Sequence, residues 1–207
     1  MKPGRLFDVG AAAGFIMNGF AREGWACHGV EPNAQMARLA RKAGFDVTNS
    51  DFENVSLDEQ FDLVSMVQVV PHFHDLEAAA RTAADLTRPG GYWLVETWNH
   101  HSWTARIFGR FWHEYSPPTV LHWFCSKSLD ELAARHGMVS IARGRPQKYL
   151  LGQHAKSLLD HCFRKSLFTL PLTLLLRLIP DRLRIWYPGE DLTWVLYQST
   201  SKTAVDD

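Results

Sequence analysis

The sequence predicts an α/β fold: a doubly wound, mostly parallel sheet with helices on both faces and a helical insertion before the last strand. Three observations carry this. Short apolar runs alternate with amphipathic stretches from Arg5 to Thr97, the rhythm of strand–helix units. A bare loop, "GAAAG" from Gly10 to Gly14, joins the first such run to the first amphipathic stretch. The segment "FDLVSMV", Phe61 to Val67, is almost continuously apolar, as suits a central strand buried on both faces. With 207 residues, 46% of them hydrophobic, the chain can bury a sizeable core, and one domain is expected over 1–207.

"RLFDV" reads as the first strand, and the stretch from Gly14 to Glu23 as a helix stopped by Gly24. "CHGVE" is the second strand. The helix after it starts at Asn33, a good N-cap, with Met36, Leu39 and Ala40 at helical spacing, and ends at Gly44. "FDVTNSD" is a short third strand with its turn, and Phe61 to Val67 the fourth. The alanine-rich stretch from Leu76 to Leu86 favours helix, and Arg88, Pro89, Gly90 and Gly91 break it before the strand "YWLVET". Between 98 and 125 aromatics and histidines crowd together, and Pro117 with Pro118 forbids a continuous helix, so loop with short helical pieces is expected. "SKSLDELAARHG" restores a helix, capped by Ser126 and stopped by Gly137. "VSIARGRPQKYL" is read as a strand, 154–187 as a helical insertion divided by Pro171, Pro180 and Pro188, and "DLTWVLYQST" as the closing strand.

Charge and cysteine content narrow the function. Lysine plus arginine equals aspartate plus glutamate, so no overall field attracts nucleic acid, and no basic patch stands out. The three cysteines, Cys27, Cys125 and Cys162, lie far apart without metal-like spacing, which predicts a reduced, cytoplasmic setting. The opening "MKPGRLFDVG" lacks a signal-peptide core. "LFTLPLTLLLRLI" is too short to span a bilayer.

A small-residue loop between strand and helix lets backbone N–H groups approach a ligand closely. A GxGxxG reading from Gly10 places Phe15 third, too bulky for close helix–strand packing. A GxGxG reading gives Gly10, Ala12 and Gly14. An ordinary tight turn would also explain the glycines. Further along, "GVEPN" sets Glu31 at the end of the second strand, where an acid can accept both hydroxyl protons of a ribose. Asp51 and Phe52 follow the third strand, where one could accept from an adenine amino group while the other covers the ring. Each acid alone reads as a solvated loop residue, but the glycine loop and the two acids, three signals in order at the carboxyl ends of successive strands, mark the ligand edge of an open sheet.

On these residues the sequence resembles the class I S-adenosylmethionine-dependent methyltransferases. The resemblance runs from "RLFDVGAAAGF" through "GVEPN", "NSDFENV", "FDLVSMVQVVPHFHD" and "LTRPGGYWLVETWN" to the closing strand, and the "PP....LHWF" segment with its helix ending "HGM" is similar to a small-molecule branch. It implies a Rossmann-like sheet of seven strands with the last antiparallel, and S-adenosyl-L-methionine as cofactor. Gly10 and Gly14, with Asp8 and Ala12 of the same loop, would cradle the methionine part. Glu31, followed by Pro32, would hold the ribose, Asp51 with Phe52 the adenine, and Gln68 would lie beside the cofactor. Ala12 replaces the family's middle glycine, which excludes a backbone of positive φ there. Pro71 and Val120 stand where relatives often carry glutamate and histidine. Only Met1 to Gly4 precede the first strand, where relatives carry covering helices, so either the chain is trimmed or the site is unusually open.

Methyl transfer from a sulfonium is an in-line displacement, so positioning and desolvation supply much of the catalysis. If the acceptor is a hydroxyl, an imidazole can take its proton at neutral pH. His72 is the first candidate, since it follows the fourth strand; a plain loop histidine is the other reading. His72, His74 and Asp75 are also conceivable metal ligands, but their spacing fits no helical pair, and no metal is expected. In the aromatic loop, Trp112, Tyr115 and His122 are the expected acceptor contacts, the alternative being a second small core beneath the loop. The leucine-rich, basic stretch 154–187 offers a lid, a partner surface or a peripheral contact with membrane or a lipid-like substrate, with core packing and homodimerisation the first expectation. The sequence thus predicts a methyltransferase acting on a small-molecule acceptor, most often at a hydroxyl oxygen. Its competitors are a partner-dependent cofactor-binding subunit and a nicotinamide-dependent oxidoreductase.

Overall fold

The computed structural model describes residues 2–146, 148–153, 156, 180–187 and 190–200. Among these, seven strands form one sheet in the order β3 (Asp46–Thr48), β2 (Ala26–Val30), β1 (Arg5–Val9), β4 (Phe61–Val67), β5 (Thr87–Trp98), β9 (Leu192–Ser199) and β6 (Met138–Gly144). The first five are all parallel to one another. β9 inserts between β5 and β6 and runs antiparallel to both. The order reverses at β1 and β4, where connections leave to opposite sides and open a crevice at the carboxyl ends.

Side chains alternate across the sheet as the two-residue strand period requires. Leu6 and Leu63 join Trp25 on one face, whereas Phe7 and Val64 join the larger core on the other. That larger core is closed by α3 (Leu76–Asp85) and α5 (Ser126–Arg135). The alanines of α3 serve close approach: Ala79, Ala80 and Ala83 are buried, and Trp93 reaches back to donate its indole N–H to Thr87 Oγ1 at 2.8 Å. On the opposite face lie α1 (Phe15–Arg22), which buries Met17, and α2 (Ala34–Lys42).

Several boundaries differ from expectation, each for a local reason. In α2 the buried residues are Ala37 and Ala40, while Met36 and Leu39 are exposed; the short side chains face the sheet because they permit the closer helix approach. Asn33 does cap α2, accepting from Gln35 N and Met36 N. Cys125, not Ser126, caps α5, its N–H donating to Ser128 Oγ at 3.0 Å. β5 begins at Thr87, ahead of the Pro-Gly-Gly break, because a register shift between Phe61 and Leu63 takes up the extra residues. The stretch read as one strand after Gly137 is two: β6 in the main sheet, then β7 (Lys148–Leu151), which pairs antiparallel with β8 (Arg184–Tyr187). The expected helical insertion 154–187 therefore ends in a strand, and most of the rest of it lies outside the described residues. As expected, 98–125 is loop with short helical pieces, α4 (Trp103–Phe108) the longest.

Candidate functional site

The loop after β1 is built from left-handed backbone. Gly10, Ala12 and Gly14 have φ of 69°, 46° and 85°, so the chain folds back tightly enough for Gly10 N and Ala11 N both to donate to Val30 O at 2.9 Å. At Gly10 a Cβ would also come within 2.5 Å of Val69 Cγ1. The expectation that alanine excludes positive φ at position 12 is wrong: the loop imposes it, and Ala12 N is held by a 2.8 Å bond to Glu31 Oε2. A left-handed L-residue costs about 1–2 kcal/mol, partly offset by its smaller unfolded-state entropy than glycine. Ala12→Gly is therefore expected to stabilise the chain by about 0.5–1 kcal/mol, read as a rise in denaturant midpoint; an unchanged or lower midpoint would show that the loop is not strained.

Glu31 is the hinge of the site. Only 8% exposed, its carboxylate accepts from Ala12 N through one oxygen and from Asn33 N through the other, both at 2.8 Å. A carboxylate offers about four acceptor positions, so each oxygen keeps one for a ligand. Asn49, which sequence reasoning missed, fixes the following turn by donating to Glu31 O and Pro32 O. Beside Glu31 opens a cleft of about 290 Å³ whose wall includes Gly10, Pro32, Asp51, Phe52 and His72. Phe52 is nearly buried, packed against Phe7 and Phe73 at centroid distances of 6.1 and 5.7 Å. Glu53, Val69, Phe73 and His74 complete the wall. Val69 and Phe73 have no pattern in the sequence, His74 stands there only as a conceivable metal ligand, and Glu53 could have been noticed as the third residue of "DFE".

His72 follows β4 in a short turn, and its ring is fixed from a distant segment. Its Nδ1 lies 2.5 Å from Thr119 O. A carbonyl can only accept, so Nδ1 carries the hydrogen and Nε2 is left as the basic nitrogen. The segment that supplies Thr119 is clipped to the same turn: Leu121 N and His122 N donate to Pro71 O, and His122 Nε2 bonds Phe73 O at 2.9 Å. His122 thus holds the strap. Glu114 lies close enough to feel the His72 charge; burial pushes its carboxyl up, His72 pulls it down and Asp191 raises it.

A family model described as "Methyltransferase domain" matches residues 1–142. This chain belongs to the class I S-adenosylmethionine-dependent methyltransferases. It is 31% identical over 125 residues to a ubiquinone biosynthesis O-methyltransferase of Bradyrhizobium sp. (strain ORS 278), covering 58% of this chain and 47% of that one. Against the protein of the same name from Pectobacterium carotovorum it is 24% identical over 180 residues, covering 76% and 69%. The chain spans about half the length of the first of these relatives. In fold it is similar to a putative methyltransferase of Bacillus halodurans, with a TM-score of 0.69, 14% identity and coverage of 97% and 94%. It is also similar to a possible histamine N-methyltransferase of Thermotoga maritima, with a TM-score of 0.63, 22% identity and coverage of 96% and 84%.

Within this methyltransferase the expected site residues fall into two groups. Gly10, Glu31, Pro32, Asp51, Phe52 and His72 meet at the cleft. Ala12 and Gly14 shape the loop behind it, and Gln68, at φ 62°, donates through N and Nε2 to Glu96 O and Oε1 at the edge of β4 and β5; a residue held in so sparsely populated a region is found most often near function. Asp8 lies beneath, 1% exposed, accepting from Ser65 Oγ. Trp112, Tyr115 and His122 are not on the cleft wall. Trp112 is buried and stacks edge-on with Tyr115 at 5.5 Å, and the exposed Tyr115 packs on Trp123. Phe15 is 79% exposed, so the packing clash invoked against a dinucleotide loop does not arise; α1 starts only after Gly14 and turns Phe15 to solvent. Among the described residues no cluster of three or more His, Cys, Asp or Glu could hold a metal ion, and no helix is long and apolar enough to cross a membrane.

Proposed function

We propose that this chain transfers a methyl group from S-adenosyl-L-methionine to a hydroxyl oxygen of a small acceptor, with His72 taking the hydroxyl proton. One observation carries the reading: the Thr119 carbonyl fixes the tautomer of His72 so that a basic Nε2 belongs to a side chain on the same cleft wall as Glu31. The residues present fit the cofactor. Glu31 keeps one acceptor position on each oxygen, as a ribose diol requires; Asp51 is exposed at the rim beside Phe52; and Gly10 of the bare loop lines the cleft. When bound, the cofactor supplies an activated methyl group on sulfur.

The rest is the work of the chain. Glu31 and the loop hold the donor in one orientation, so the encounter becomes effectively intramolecular. His72 Nε2 accepts the proton as the oxygen becomes nucleophilic, and the half-buried Glu114 stabilises the imidazolium that forms. The ubiquinone O-methyltransferases among its relatives favour a hydroxylated, lipid-like acceptor, and the stretch 154–187, leucine-rich and basic, favours a peripheral or self-associating contact.

The test is calorimetric titration with S-adenosylmethionine, S-adenosylhomocysteine and NAD, followed by a methyl-transfer assay on hydroxylated aromatic acceptors. Binding of the two adenosyl-sulfur ligands with turnover is expected. Binding without turnover on any acceptor would favour a partner-dependent subunit, and binding of NAD alone would overturn the reading. Glu31→Gln sharpens it, because an amide presents a donor to either Ala12 N–H or Asn33 N–H. Cofactor affinity is expected to fall ten- to a hundredfold, about 1–3 kcal/mol; equal affinity in the two proteins would remove Glu31 from the site.

A further inference from the structure

α4 and the turn after it carry their apolar side chains outward. Trp103, Ile107 and Phe111 recur at a spacing of four and are 69%, 75% and 37% exposed, while Ala105 and Trp112 supply the buried side. On a surface helix the apolar stripe normally faces the core, so this polarity is reversed. Between them, Arg106 and Arg110 lie on the same exposed face with guanidinium carbons 5.8 Å from the Trp103 ring centroid and 4.8 Å from that of Phe111. From Thr97 to His113 there is no aspartate or glutamate. The nearby Glu190 is occupied by the N–H groups of Trp103 and Thr104, which begin the helix.

We infer that this face docks on an anionic lipid bilayer, with Trp103, Ile107 and Phe111 entering the headgroup boundary and Arg106 and Arg110 meeting lipid phosphates. Charge and size both select this occupant. The side chains that the face presents are the two guanidinium groups and the apolar stripe, its nearby carboxylate Glu190 being turned onto the first N–H groups of the helix, so an anionic surface complements it. Its three apolar side chains expose on the order of 350 Å², well short of the roughly 800 Å² per partner that a stable protein interface buries. An interfacial helix needs no more than a shallow apolar stripe with flanking basic residues. Arginine stacked on an aromatic ring stays near the water boundary while the ring goes deeper. The docking is independent of the proposed chemistry and is tested without cofactor.

The full chain should sediment with vesicles of phosphatidylcholine mixed with phosphatidylglycerol, far less with phosphatidylcholine alone, and should be released by salt. Each arginine near an anionic surface contributes about fivefold, so Arg106→Ala with Arg110→Ala should weaken binding roughly 25-fold. Trp103→Ser with Ile107→Ser should weaken it at least about tenfold. All four side chains are exposed, and an unchanged thermal midpoint confirms that the variants fold. Three outcomes overturn the inference: no sedimentation with any vesicle; binding equal in wild type and both variants, which would move the contact to another surface; or a lipid-free dimer that Ile107→Ser converts to monomer, which would give the face to a second copy.

Discussion

His72→Ala is expected to lower kcat for methyl transfer by about 10²–10⁴ while leaving cofactor affinity within a few-fold, the loss typical of removing a general base. The reasoning rests on which nitrogen is free. Because Thr119 O claims Nδ1–H, only Nε2 can accept, and no other described side chain on the cleft wall combines a basic nitrogen with a fixed tautomer. His74 also lines the cleft, but what is fixed there is its backbone N–H, on Glu53 Oε1. His72→Gln is the companion variant: it keeps an N–H for the Thr119 carbonyl, so the strap stays in place, yet has no basic nitrogen. If His72 is a base, both variants lose the same activity and the acid limb of the pH–rate profile. If it only anchors the strap, glutamine restores most of the rate and the profile keeps its shape. Retained activity in both would mean that positioning alone suffices for this acceptor.

The residues proposed for the cofactor side were more legible in the sequence than the contacts around the proposed acceptor side, and the reason is the range of the contacts. Gly10, Glu31 and Asp51 sit at the ends of consecutive strands, so strand rhythm alone brings them to one edge. Even there the strain was hidden. Ala12 does not choose a left-handed backbone; it is forced there by bonds from its neighbours to Val30 O and from itself to Glu31, interactions no local pattern records. The acceptor side depends on pairings across long stretches of chain, such as Thr119 with His72 and His122 with Phe73. In a dense aromatic segment, side chains that stack on one another look the same in sequence as side chains that line a pocket; Trp112 and Tyr115 stack on each other and stand off the cleft wall. The exposed stripe of α4 shows the converse: its apolar spacing is helical, but only the burial of Ala105 and Trp112 reveals which face turned inward.

The same hidden pairing governs how stability responds to pH. Asp8 ends β1 beneath the loop, and its carboxyl is pushed up to about 7, chiefly by burial, with Ser65 lowering it and the Glu31 charge raising it further. Its Oδ1 accepts from Ser65, while Oδ2 has no hydrogen-bond partner among the described residues. A carboxyl raised in the folded state binds its proton more tightly than in the unfolded chain, so it costs nothing below the unfolded value of about 3.9 and its cost grows until the folded value is passed. Stability should therefore fall as pH rises from about 4 to about 7 and level off above, by about 4 kcal/mol over the whole window and about 2.5 kcal/mol between pH 5 and pH 8. Asp62 and Glu190, whose carboxyls are held below the usual range chiefly by hydrogen bonds that outweigh their desolvation, act in the opposite sense and only at lower pH. Other groups titrate in the same interval, so the comparison is with Asp8→Asn. Asparagine keeps an acceptor for Ser65 and leaves an unpaired amide, a cost of about 1–3 kcal/mol that does not vary with pH. The difference in unfolding free energy between the two proteins should thus shift by about 2.5 kcal/mol in favour of the variant from pH 5 to pH 8, and parallel curves would mean that Asp8 is ionised throughout.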